Sequence, residues 1–228
     1  MRYDVLLFDA DNTIFDFDAC ERTALAFALS QHGVSPTSEI ISTYHAINAR
    51  YWHLLSLDRV SKEDLYVLRF RDLFADFDID ADPVSFNATY RDALGERHVL
   101  LDGAAELLRS LHDRCAIYVV TNGHYATQRK RIAASNIAPY ISDVFISDEI
   151  GYEKPDKRFF DFVVQRIPDF ESKRAVIIGD SIDTDVRGAV EYGIDSIWFC
   201  PQDTHITPAY APTYTARSFS EIYDILTK

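Results

Sequence analysis

Asp9 and Asp11 flank Ala10 directly after the apolar run Tyr3–Phe8 (YDVLLF), and Asn12-Thr13 follows them. Carboxylates two positions apart at a strand end point to the same side and can address one ligand. Two acids that close repel, so they need a cation, a shared proton or a strong set of donors. The letters alone are weak, because Asp16 with Asp18 and Asp183 with Asp185 repeat the pattern. A solvated capping turn would explain them equally well; what singles out Asp9 is the buried-strand pattern before it.

Three further segments carry chemistry. Thr121-Asn122-Gly123 follows the run CAIYVV. A hydroxyl, an amide and a glycine at a strand-to-helix junction suit an oxyanion, which backbone N–H groups there can bind. An Asn-Gly pair also makes ordinary turns. Lys154, pinned by Pro155, is a point charge suited to a phosphate oxygen. Gly179-Asp180-Ser181-Ile182-Asp183-Thr184-Asp185 follows AVII. Asp183 and Asp185 suit the start of a helix, which leaves Asp180 at the strand end unexplained. Carboxylates alone would make a metal site, and Thr with Lys alone an anion site. Both together suit Mg2+ shared between a carboxylate set and a substrate phosphate.

The elements that must position these residues alternate. Strands are expected over Tyr3–Phe8, Cys115–Val120, Ala175–Ile178 and Asp195–Cys200, with weaker ones over Asp143–Ser147 and Thr213–Ala216. Helical patterns cover Asp102–His112, His124–Ser135, Lys157–Arg166 and Asp183–Tyr192, with Gly193 as a C-terminal stop, and a last helix starts at Ser218 with Glu221 at capping-box spacing. Alternation of this kind predicts an α/β fold, a Rossmann-like parallel sheet covered on both faces. Between the first and second strands the pattern is helical throughout: Cys20–His32, Ser38–Leu55, Ser61–Phe77 and Pro83–Leu94. Residues 17–97 are therefore expected to form an inserted helical domain, and 1–16 with 98–228 the α/β core.

Composition narrows the function classes. The chain has 228 residues and a formal charge of −13. So acidic a body repels nucleic-acid polymers and anionic membranes, and a small phosphorylated metabolite can be its partner only if the site supplies local positive charge. The field is screened beyond about 8–10 Å at physiological salt, so a metal and Lys154 at contact distance govern the site. Cys20, Cys115 and Cys200 are far apart and show no zinc or disulfide spacing. With no long apolar run and no signal-peptide layout after Met1, the expected location is cytoplasmic. Nothing in the pattern distinguishes a monomer from a homodimer. The Asp76–Asp82 string fails the calcium-loop template at Ala81 and Asn87, and Arg129-Lys130-Arg131 reads as one solvated helix face.

In this order, DADNT, TNG, KP and GDSIDTD resemble the four motifs of the haloacid dehalogenase-like (HAD) superfamily of phosphohydrolases, and the helical insert resembles its C1-type cap. The longer wording FDADNTIFDFD, GYEKPDKRFFDF and GDSIDTDVRGA resembles most its bacterial pyrimidine 5′-nucleotidase branch. One departure is Asn12, where the family often has Gly; it leaves the carboxylate pair intact. The resemblance implies a Mg2+-dependent phosphomonoesterase, with a nucleoside monophosphate as substrate. It implies Asp9 as nucleophile, forming an aspartyl-phosphate, and Asp11 as acid and base. Thr121, Asn122, Gly123 and Lys154 would bind the phosphate. Asp9, Asp180 and the backbone carbonyl of Asp11 would hold the metal, with Asp185 acting through water or as outer support. The cap would choose the leaving group, and Asn48, Trp52 and Arg69 are candidate specificity residues. Phe15, Phe17, Tyr44, Tyr51, Trp52 and Tyr66 could stack a base, though aromatics at helical spacing more often form core. Alternatives are a phosphatase or phosphotransferase on another metabolite such as a sugar phosphate, a 2-haloacid dehalogenase, and a non-enzymatic phospho-Asp receiver-like module.

Overall fold

The computed structural model describes residues 1–57, 59–201 and 209–228. They divide into two compact units, Met1–Phe17 with His98–Lys228, and Asp18–Arg97.

The first unit is built on a parallel sheet of six strands: β1 (Val5–Phe8), β2 (Ala116–Thr121), β3 (Asp143–Ile146), β4 (Ala175–Gly179), β5 (Asp195–Phe199) and β6 (Tyr214–Ala216). Their order is β3-β2-β1-β4-β5-β6. Pairing of Val5 with both Ala116 and Ala175 fixes the register around β1. All four residues of β1 are buried, as a strand covered on both faces requires. Successive side chains serve opposite faces. Leu6 and Phe8 join Ile117, Val119, Val176 and Ile178 on one face, and Val5 and Leu7 join Tyr118, Val120, Ala175 and Ile177 on the other.

Helices α5 (Ala104–Leu111) and α10 (Phe219–Thr227) cover the first face through Leu107, Leu108, Leu111, Ile222 and Leu226. Helices α8 (Lys157–Val164) and α9 (Arg187–Tyr192) cover the second through Phe159, Phe160, Val163 and Ala189. Also present are α6 (Tyr125–Ala134) and the single turn α7 (Ser147–Ile150). The chain runs outward in opposite directions from β1 and from β4, so the carboxyl ends of these two strands flank the switch point where open α/β sheets bind ligands. The helix expected from Asp183 opens instead with one π-type turn, Ile182–Val186, before α9. Gly193 stops α9 at φ 78°. Ser218 caps α10 by accepting from Glu221 N, while the Glu221 carboxylate accepts from Arg217 N, one residue short of the expected reciprocal partner.

The second unit comprises α1 (Phe17–Gln31, the first residue of which belongs to the other unit), α2 (Ser38–Ser56), α3 (Lys62–Asp76) and α4 (Pro83–Gly95). Thr37, Ser61 and Asp82 cap α2, α3 and α4 by accepting from Ile40 N, Asp64 N and Ser85 N. The core of this unit is aromatic. Tyr44 stacks on Phe70 with ring centroids 5.1 Å apart, and Phe70 lies 4.9 Å from Phe86 and 5.3 Å from Tyr90. Tyr44, Tyr51 and Tyr66 are thus core residues, as helical spacing favoured. No helix among the described residues is long and apolar enough to cross a membrane.

Candidate active site

The backbone of Asp9 continues the sheet by donating to Ile178 O at 2.8 Å, which sets its side chain at the ends of β1 and β4. Lys154 approaches from the loop before α8, through a cis Lys154-Pro155 peptide. Its Nζ donates to Asp9 Oδ1, Asp185 Oδ1 and Val120 O, each at 2.7 Å. Asn122 secures that loop: its Nδ2 donates to Lys154 O at 2.9 Å and its Oδ1 accepts from Lys154 N at 2.8 Å. The amide therefore joins the Thr121-Asn122-Gly123 turn to the Lys154 segment.

Asp185 is placed by the π-type turn. Its Oδ2 accepts from Ser181 N at 3.1 Å, and Ser181 O accepts from both Asp185 N and Val186 N. A Cβ on Gly179 would lie 2.2 Å from Asp185 Oδ2, so glycine is required there to make room for the carboxylate. Trp198 Nε1 donates to Asp180 O at 2.9 Å and steadies the third acid.

Asp9, Asp180 and Asp185 each offer an oxygen within 4.8 Å of the other two. Lys154 is the one cation in contact with Asp9 and Asp185 among the described residues, so three acids gather about a single ammonium. The electrostatic consequences follow from burial. The Asp9 carboxyl is pushed up to about 7 by desolvation, with Asp185 and Asp11 adding to the rise and Lys154 opposing it. Asp180 stands well above the usual carboxylate range, through desolvation and then the charges of Asp9 and Asp185. Burial pulls the Lys154 ammonium down, but Asp185 and Asp9 outweigh it and raise the pKa. This excess of hard, anionic oxygen donors fits a divalent cation such as Mg2+.

Asp11 faces differently. Its Oδ1 accepts from Arg131 at 2.5 Å and its Oδ2 from Gln128 Nε2 at 2.7 Å. The side chain of Asp11 is thus not among the three clustered acids, and what it could offer a metal is its backbone carbonyl. Asn12 follows at φ 57°, a left-handed conformation that Asn tolerates better than most residues. Its Oδ1 also accepts from Phe17 N at 3.1 Å. The backbone here explains how Asn can stand where Gly is frequent. Thr121, buried at the end of β2, accepts from Gly123 N at 3.2 Å and from Gln128 Nε2 at 3.1 Å.

Two participants escape sequence reasoning. Gln128 carries no motif, and Arg131 was expected on a solvated face. That expectation is corrected: Arg131 is fully buried, with its guanidinium 4.5 Å from the Phe15 ring. The i, i+3 spacing of Gln128 and Arg131 puts both on one face of α6, which was the available signal.

The expected specificity residues lie in the helical unit. Asn48 and Arg69 are brought together there, with Arg69 donating to Asn48 Oδ1 at 2.8 Å and to Asn87 Oδ1 at 3.1 Å. Asn48 Nδ2 donates to the buried Glu21 at 2.6 Å, and His45 contacts the same carboxylate at 3.0 Å. Trp52 is half-buried on α2.

Residues 3–193 match the haloacid dehalogenase-like hydrolase family, and the chain belongs to it. It is 36% identical over 225 residues to the HAD-hydrolase YfnB of Bacillus subtilis (strain 168), covering 99% of this chain and 96% of that one. It is 36% identical over 229 residues to the pyrimidine 5′-nucleotidase PynA of Streptococcus pneumoniae (strain ATCC BAA-255 / R6), covering 100% and 97%. Against the pyrimidine 5′-nucleotidase YjjG of Escherichia coli (strain K12) the identity is 28%, with both chains fully covered. The crystal structure of magnesium-bound YfnB superposes with a TM-score of 0.95 at 35% identity over the whole of both chains. The protein is thus an enzyme, a HAD hydrolase.

Proposed function

We propose that the protein is a Mg2+-dependent phosphomonoesterase acting through an aspartyl-phosphate, with pyrimidine nucleoside 5′-monophosphates as its substrates. The observation that carries the reading is the gathering of Asp9, Asp180 and Asp185 around Lys154 at the ends of β1 and β4. An anionic ester approaches so acidic a centre only if a cation neutralises it. Asp9 and Asp180, with the Asp11 carbonyl, would hold Mg2+, and Asp185 would support it from behind. The metal, when bound, supplies charge neutralisation for the phosphoryl oxygens. The magnesium in the YfnB crystal structure supports this choice of ion.

Asp9 attacks phosphorus as its carboxylate, forming the acyl-phosphate O–P bond while the bond to the leaving oxygen breaks. Asp11 gives that oxygen a proton, then takes one from the water that cleaves the acyl-phosphate. Thr121 and the backbone of Asn122 and Gly123 offer donors to the phosphoryl oxygens, and Lys154 adds fixed positive charge beside the nucleophile. The choice of pyrimidine nucleotides rests on two full-length relatives that carry that name.

Phosphate release from a panel of pyrimidine and purine 5′-monophosphates and sugar phosphates tests the reading. Pyrimidine nucleotides should give the highest kcat/KM. A dominant sugar-phosphate rate with negligible nucleotide turnover would reject the substrate assignment.

A further inference from the structure

Asp11 is held more firmly than its exposure calls for. Its side chain is 27% exposed, yet both carboxylate oxygens are occupied by donors from α6. Arg131 takes Oδ1 and Gln128 takes Oδ2. The two donors also brace each other, since Arg131 donates to Gln128 Oε1 at 3.0 Å. Gln128 Nε2 reaches Thr121 Oγ1 as well, at 3.1 Å. The turn is shaped around this side chain: a Cβ on Gly123 would lie 2.4 Å from Gln128 Nε2 and 2.5 Å from its Cγ.

Burying a guanidinium is costly, and an ion pair to a partly exposed acid offsets little of that penalty. An apolar residue over Phe15 would pack that position with no charge to desolvate. What the pair does accomplish is geometric. Two donors on two oxygens fix both the plane and the aim of a carboxylate that a single bond would leave free to rotate.

We propose that Arg131 and Gln128 are positioning residues that aim the Asp11 carboxyl at the leaving oxygen of the ester, and that Gln128 couples this aim to the Thr121 hydroxyl. The inference rests on the phosphomonoesterase reading above. As the Asp9 O–P bond forms and the P–O bond to the leaving group breaks, the departing oxygen keeps the electron pair and receives the proton of Asp11. Arg131 and Gln128 transfer no proton. Their effect on this first half-reaction therefore scales with how much the leaving group needs a proton: an alkoxide needs it fully, a nitrophenolate hardly at all.

The test compares kcat and KM on p-nitrophenyl phosphate and on the phosphate of a simple primary alcohol. It uses the wild type, Arg131→Met, Arg131→Lys and Gln128→Leu, each at saturating Mg2+. In Arg131→Met, kcat/KM, which covers only the steps up to departure of the leaving group, should fall about tenfold to a hundredfold further on the alkyl ester than on the aryl ester. Arg131→Lys should recover part of the loss, and Gln128→Leu should show the same bias more weakly. In an Asp11→Asn background the Arg131 substitution should add no alkyl-specific loss. Equal losses of kcat/KM on both esters, no loss, or a gain on the alkyl ester overturns the proposal; an added equal fall in kcat reports only the shared hydrolysis of the aspartyl-phosphate. If Arg131→Met does not fold, the same comparison on Arg131→Lys and Gln128→Leu decides between these outcomes. Failure of the nucleotide assignment is separate: the wild type would cleave both simple esters and spare nucleotides, and the two esters would still decide the role of Arg131.

Discussion

Two buried polar networks, one around Lys154 in the sheet unit and one around Glu21 in the helical unit, are built on opposite charge plans. In the sheet unit, Asp9, Asp180 and Asp185 surround one Lys154. In the helical unit, one Glu21 is matched by Arg69 through the amide of Asn48, with Asn87 and His45 completing the chain. The first is short of positive charge, and desolvation together with mutual repulsion pushes Asp9 and Asp180 toward the neutral form. The second is nearly balanced, and aromatic faces surround its cation: Arg69 lies 4.9 Å from the Phe70 ring and 5.1 Å from that of Tyr90. A balanced network holds helices in register, whereas an unbalanced one keeps an excess of charge that a ligand of opposite sign relieves. Imbalance, more than burial, separates the chemical site from the structural one.

The largest effect that bears on this contrast is expected from Asp9→Asn. Removing the proposed nucleophile should lower turnover by about 10⁴-fold or more while leaving the melting temperature unharmed, as steady-state phosphate release and calorimetry would show. Arg69→Met should do the reverse. Asn48 and Asn87 lose a buried partner and Glu21 a nearby cation, which costs about 3–5 kcal/mol of stability by urea unfolding.

A smaller change sharpens the same point. In the metal-free protein, Asp180→Asn relieves repulsion in the sheet unit and should stabilise the fold, by up to about 2 kcal/mol. A loss of stability there would contradict the unbalanced plan.

The smallest effect is one of pH. His45 has its pKa raised by its hydrogen bond to Glu21, and burial raises that of Glu21. A group whose folded pKa is raised contributes stability fully below its unfolded value and loses it as pH climbs through the folded one. For His45 that window opens near 6.5. The helical unit should therefore weaken from there upward, by less than about 1 kcal/mol given the exposure of the imidazole. His45→Gln should flatten that part of the stability–pH profile, and an unchanged slope would remove His45 from the network.

The legibility of the two networks in the sequence differs for physical reasons. Asp9, Thr121 and Asp180 each follow a run of buried strand residues, so their place at the sheet's carboxyl end was readable from period and order. Lys154 was readable only jointly with them. Arg131 was not, because α6 buries a polar face: beside Arg129 and Lys130, only its i, i+3 spacing from Gln128, itself outside every motif, marks it as the base that turns inward. Asn48 and Arg69 stand out in the sequence only as candidate specificity residues, carried by no motif. Their joint burial with Glu21 depends on how α1, α2, α3 and α4 pack, which no local pattern encodes. The π-type turn that delivers Asp185 was likewise hidden, since its residues also suit an ordinary helix start.

Asp9, Asp180 and Asp185, beside Lys154, are proposed to form a site for one divalent cation. Isothermal titration of the metal-free protein with Mg2+, run in parallel on Asp180→Asn, tests it most directly. One ion per chain in the wild type and weak or no binding in the variant is the predicted result. Mg2+ binding of undiminished affinity in Asp180→Asn, or none in the wild type, would contradict the account.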